Sequence, residues 1–171
     1  MVAALVLASV IGVADKPPSV RHVRSSDARA RTLIEKGVAR SATFRHLLDT
    51  LDASDVIVYV EPKYTHPGLS GYLPHRVVVA EPFRYLHVMV GFFGADDRII
   101  AVIAHELQHA VEVADAPEVR DDRSLRLLFS RSHINFHCGE DCFETDAAID
   151  VQYKVTGELA ANRPPSKLAS R

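Results

Sequence analysis

Residues 103–113 read I-A-H-E-L-Q-H-A-V-E-V, and no other stretch limits the folds open to this chain so sharply. Ile99, Ile100, Val102, Ile103, Leu107, Ala110, Val111 and Val113 make a long apolar helix. Three ionisable residues, His105, Glu106 and His109, stand inside it, where they are costly unless they serve one another or a metal ion. Residues four apart on a helix lie about 40° apart around the axis and roughly 6 Å apart along it, so His105 and His109 can hold one ion between them. Glu106 is then placed to take a proton from a water at that ion, the division of labour that H-E-x-x-H encodes. With nine His and nine Glu in 171 residues, three fixed positions match by chance in roughly two of every hundred such chains, so the apolar setting carries much of the argument. The competing reading is an amphipathic helix whose histidines face solvent.

A chain of 171 residues that is 47% hydrophobic can bury one core, which makes one domain the natural count. The formal net charge is -2, with both signs spread throughout, so there is no basic field for nucleic acid. Residues 1–14 are apolar or small, too few for the ~20 that span a bilayer, and they match the core of a secretory signal. Gly12 and Ala14 would precede a cut at Asp15, although no positive charge precedes the run. If this segment is a signal the protein is exported, periplasmic or secreted; otherwise it is cytoplasmic and the run is a buried strand. Cys138 and Cys142 are too few for a disulfide scaffold and read as a short disulfide or two thiols.

Four regions follow from the pattern: a signal segment at 1–14, a linker at 15–26, one domain at 27–161 and a disordered tail at 162–171. Ser25 or Ser26 can cap a helix starting near Asp27, with Leu33, Ile34, Val38, Phe44, Leu47, Leu48 and Leu51 on its apolar face. Residues 55–61, 76–80 and 85–90 are predicted strands, the last two joined by a turn at Glu81, Pro82 and Phe83. Residues 62–75 hold three prolines and two glycines and read as loop. Asp96 and Asp97 are placed to cap the motif helix, which runs to about Ala114; residues 118–130 and 143–159 read as further helices. The expected class is α+β: a backing helix and a small mixed or antiparallel sheet, then the H-E-x-x-H helix and more helices.

The H-E-L-Q-H-A run, together with E-T-D-A-A at 144–148, resembles the zincin metallopeptidases, and among them the gluzincins. It is most similar to small bacterial proteins of that class that carry an H-E-L-Q-H-A helix and a later E-T-x-A-A helix. The resemblance covers about a third of the chain through those two segments and the remainder only by the order of elements. It implies one Zn2+ per chain, peptide or protein substrates, and an edge strand, here one within 76–90, that pairs with extended substrate.

Two histidines leave such an ion short of a third protein ligand. In the metzincin extension a glycine turns the chain so that the residue six past the second histidine returns to the metal. Glu112 stands at that glycine position and Asp115 at the ligand position, and a continuing helix swings Asp115 some 120° off the metal face. The gluzincin pattern points instead to Glu144, ahead of the small Ala147 and Ala148, with Asp146 as the alternative ligand and Asp150 beside it. Tyr153, His133 or His137 are the candidates to stabilise the oxyanion. His133, His137, Cys138 and Cys142 match no structural zinc spacing known to us. The expected activity is hydrolysis of peptide bonds with Glu106 as general base. A non-catalytic, metal-stabilised binding or envelope protein is the alternative, and a domain with incidental histidines would carry no metal at all.

Overall fold

The computed structural model of the chain describes residues 21–63, 70–130 and 144–163. Five helices and five strands occur among them: β1 Val23–Arg24, α1 Ala28–Arg40, α2 Ala42–Asp52, β2 Val56–Pro62, β3 Gly71–Tyr72, β4 Val78–Ala80, β5 Phe83–Val90, α3 Asp96–Ala114, α4 Asp122–Ser130 and α5 Asp146–Ala161. The fold is a small α+β domain with a mixed sheet, as the pattern of the sequence suggests. No helix among the described residues is long and apolar enough to cross a membrane.

The sheet runs β1-β2-β5-β3, with β1 parallel to β2, β2 parallel to β5, and β3 and β4 both antiparallel to β5. Because β2 pairs with β5 from Arg84 to Val90, the short strands β3 and β4 share the opposite edge of β5. Alternation along β5 buries Arg84, Leu86, Val88 and Val90 and leaves Phe83, Tyr85, His87 and Met89 half-buried. Val56, Val58 and Val60 stand in register with Arg84, Leu86 and Val88, so one face of the sheet carries the core. That face receives α3, and α1, α2 and α5 pack around α3 in turn. The motif helix is consequently buried at thirteen of its nineteen positions.

Several boundaries differ from those expected. The first helix is two helices, because Ser41 adopts an extended conformation (φ -127°, ψ 122°) and accepts the Phe44 N–H at 2.9 Å, ending α1 and capping α2. Asp27 rather than Ser25 or Ser26 caps α1, accepting the Ala30 N–H at 2.8 Å. Residues 23–24, assigned to a linker, form strand β1, and residues 71–72, assigned to a loop, form β3. Phe83 belongs to β5 and not to the turn. Asp96 and Asp97 do not cap α3, whose N-cap is Ala95; they lie in its first turn and pair with Lys36 at 2.6 Å and Arg40 at 2.6 Å. α4 starts only at Asp122, since Asp121 turns the chain by accepting the Ser124 N–H at 2.7 Å. The signal segment lies outside the described residues, as does the tail beyond Arg163.

Candidate metal centre

His105 and His109 sit on consecutive turns of α3, 8% and 4% exposed, with ring centroids 5.0 Å apart and planes at 81°. Their third partner arrives from elsewhere in the chain. Glu144 Oε1 lies 2.7 Å from His105 Nε2 and 3.7 Å from His109 Nε2. Ligand atoms of His105, His109 and Glu144 all fall within 4.8 Å of one another, so the three can hold a metal ion.

The donor chemistry fits such an ion. Two imidazoles and one carboxylate are the ligand types of a three-ligand site with an open position. His109 Nε2 is buried and makes no hydrogen bond, since 3.7 Å to Glu144 is too long for one. His105 Nδ1 is likewise buried without a hydrogen-bond partner. The pairing also shapes the charges of the metal-free site. Burial opposes a charge on His109, yet the Glu112 and Glu144 carboxylates outweigh it and push the imidazole up to about 9. Burial likewise disfavours a charged Glu144, but His105 and His109 pull its carboxyl down to about 2.

Helix α5 explains why Glu144 is where it is. Glu144 lies two residues ahead of α5 rather than within it, so its side chain is not bound to the helical repeat. Thr145 is the N-cap, accepting the Ala148 N–H at 3.2 Å. The Thr145 hydroxyl donates in turn to Glu112 Oε1 at 2.6 Å, and Glu112 Oε2 lies 3.0 Å from His109 Nδ1. Sequence reasoning did not assign Glu112 or Thr145 a role at the site. The signals for them were present: Glu112 is three residues past His109 on the same helical face, and Thr145 precedes a helix as a capping residue does.

Glu106 is 5% exposed beside the histidines. Burial pushes its carboxyl up, and the nearby Glu144 adds to that, while His109 and His105 pull it down. Burial is the largest of these influences, and the net direction is upward. Gly71 of β3 lies directly against it: a Cβ at Gly71 would stand 3.0 Å from Glu106 Oε1 and 2.7 Å from Val102 Cγ1. The strand lying on Glu106 is thus β3, upstream of the 76–90 region expected to flank the site. On the other flank, Phe129 of α4 sets its ring edge-to-face against His109, 5.3 Å between centroids.

The other candidates are not brought to this cluster. Asp146 is exposed in the first turn of α5, Asp150 is exposed further along that helix, and Asp115 is the exposed C-cap of α3. Tyr153 is 74% exposed on α5. His133, His137, Cys138 and Cys142 lie outside the described residues. No family model matches the sequence, and no match was found among curated proteins or solved structures.

Proposed function

We propose that the protein is a zinc-dependent metallopeptidase of the gluzincin kind. The observation that carries this reading is the convergence of His105, His109 and Glu144 within 4.8 Å, with buried Glu106 following His105 on the same helix. Bound there, Zn2+ supplies Lewis acidity toward a carbonyl oxygen and lowers the pKa of a water toward neutrality. Glu106 removes a proton from the attacking water, whose oxygen forms the new bond to the scissile carbon. As the C–N bond breaks, the same carboxyl returns that proton to the leaving amine. β3, whose Gly71 lies against Glu106, supplies the backbone edge along which an extended peptide would lie. Substrates are peptides or proteins, and export through residues 1–14 would place the activity outside the cytoplasm.

Glu106→Gln tests the reading. Zinc content near one per chain in both proteins, with peptide hydrolysis only in the wild type, is the expected result. Full activity in the variant would remove Glu106 from the mechanism. Stoichiometric zinc with no hydrolysis of any peptide by the wild type would favour the non-catalytic, metal-stabilised protein, and a wild type that takes up no zinc would end the metal reading altogether.

A further inference from the structure

We infer that Glu112 and Thr145 are positioning residues that make one mechanical unit of two metal ligands drawn from distant parts of the chain. The inference rests on the metal reading above and adds to it two residues and the contacts through which they act.

A metal-ligating histidine has its tautomer and ring orientation fixed by the group to which its other nitrogen donates. The geometry commits Nδ1: at 3.0 Å from Glu112 Oε2 it donates its hydrogen to a carboxylate that has none to give. That leaves Nε2 as the nitrogen for an ion, on the side of the ring where Glu144 Oε1 lies 3.7 Å away. Glu112 alone would orient the ring loosely, since a glutamate side chain has three rotatable torsions and this one is 20% exposed. Its second oxygen is therefore decisive. Oε1 accepts the Thr145 hydroxyl at 2.6 Å, so both ends of the carboxylate are fixed.

Thr145 is itself held twice. It is 7% exposed, its Oγ1 accepts the Ala148 N–H at the start of α5, and its backbone follows directly from Glu144. The chain of contacts His109–Glu112–Thr145–Glu144 is closed through the space between His109 Nε2 and Glu144 Oε1. Loss of any one link loosens the second and third ligands together, although neither ligand has been altered. The ordinary role of a helix cap does not require this: a hydroxyl that only capped α5 would have no need to donate to a carboxylate 33 residues earlier.

The test is zinc affinity, measured by competition with a chelating indicator on the full chain. Thr145→Val removes the hydroxyl at nearly constant volume, Thr145→Ser keeps it, and Glu112→Gln keeps the size but not the charge. We expect Glu112→Gln and Thr145→Val each to weaken zinc binding about 10- to 100-fold, and Thr145→Ser to restore it to within about threefold of wild type. Thermal midpoints of the metal-free proteins separate this from loss of the α5 cap, which lowers the midpoint without selectively weakening zinc. In zinc-loaded wild type, the 15N signals of His109 should show a protonated Nδ1 and a ligated Nε2. Zinc bound as tightly by both Thr145→Val and Glu112→Gln as by wild type, or ligation through Nδ1, would overturn the inference and leave the metal site standing. No zinc binding by the wild type would remove both.

Discussion

The Arg84 guanidinium grips the Asp55 carboxylate with two hydrogen bonds, Nε to Oδ2 at 2.8 Å and Nη2 to Oδ1 at 2.6 Å. The same fully buried side chain donates from Nη1 to the carbonyl oxygens of Val113 at 2.9 Å, Ala116 at 2.8 Å and Val119 at 3.1 Å. Val113 lies in the last turn of α3 and Ala116 and Val119 in the turns that follow it, where the Val113 and Ala116 carbonyls also accept the Ala116 and Val119 N–H groups. Arg84 thereby joins the start of β2, the start of β5 and the end of the motif helix. Arg84→Met should cost about 1.5–3 kcal/mol, because it removes the charged hydrogen bonds to a partly exposed carboxylate and takes this donor from the Val119 carbonyl. Denaturant midpoints measure it, and a cost below about 1 kcal/mol would show these acceptors finding other partners.

The same pair sets an acid limit on stability. Hydrogen bonding to Arg84 holds the Asp55 carboxyl below its usual range, against the opposing effect of burial. A carboxyl with a lowered folded pKa stabilises fully above its unfolded value of about 3.9, and that contribution is lost as pH falls through the folded value. Asp55→Asn, which has nothing to titrate there, should lose stability less steeply below about pH 4 than wild type. Parallel stability curves for the two proteins over that range would rule this out.

Gly71 has no room for a side chain where β3 crosses Glu106. Gly71→Ala would place a carbon 2.7 Å from Val102 Cγ1 and 3.0 Å from Glu106 Oε1. Overpacking of this kind costs about 1–3 kcal/mol of stability. On the proposed mechanism the displaced base should lower kcat at least tenfold, about 1.4 kcal/mol of barrier, while zinc content stays near one per chain. Loss of zinc in parallel with activity would mean that the strain reaches the ligands instead.

Zinc uptake should release a proton. His109 is held up to about 9 in the metal-free site, so at pH 7.5 it carries a charge that ligation must remove. Glu144, at about 2, is already ionised and releases nothing. Calorimetric titration in buffers of different ionisation enthalpy should report about one proton per zinc from His109, and affinity should rise with pH until about pH 9. The same charge stabilises the metal-free fold fully below the unfolded histidine value of about 6.5, a gain lost as pH rises through the folded value. Buffer-independent heats would show that the imidazole is already neutral.

Glu158 of α5 caps α2 from outside. Its carboxylate accepts the Ser41 hydroxyl, the Thr43 N–H at 3.0 Å and the Thr43 hydroxyl at 2.8 Å, placing negative charge at a helix N-terminus. Glu158→Ala should therefore destabilise by about 1–2 kcal/mol without changing zinc affinity. Altered zinc affinity in this variant would mean that α2 and the metal site are coupled.

How much of this could be read in the sequence depended on whether a feature was local. The motif helix was legible to its ends, because apolar periodicity and the His-Glu-His spacing lie within one continuous helix. Glu144 was legible through the resemblance of E-T-D-A-A to the glutamate segment of gluzincins, although it stands before the helix instead of on it. The break at Ser41 was not visible, since apolar residues on both sides keep helical spacing and the cap is completed by Glu158, 117 residues away. β1 and β3 escaped notice because two-residue strands have no periodicity to detect; both owe their existence to pairing with a longer strand. Nothing local in the sequence marks Arg84 as buried, and only the meeting of three chain segments makes it a core residue.

Because Glu144 belongs neither to α3 nor to the sheet, its place beside the two histidines depends on the docking of the start of α5 against α3. Undocking of α5 alone would leave the His105–His109 pair intact on the most deeply buried helix while withdrawing one ligand. On the proposed reading, metal exchange would follow that sub-global opening, so the zinc off-rate would track the hydrogen-exchange rate of the α5 amides and not the global unfolding rate.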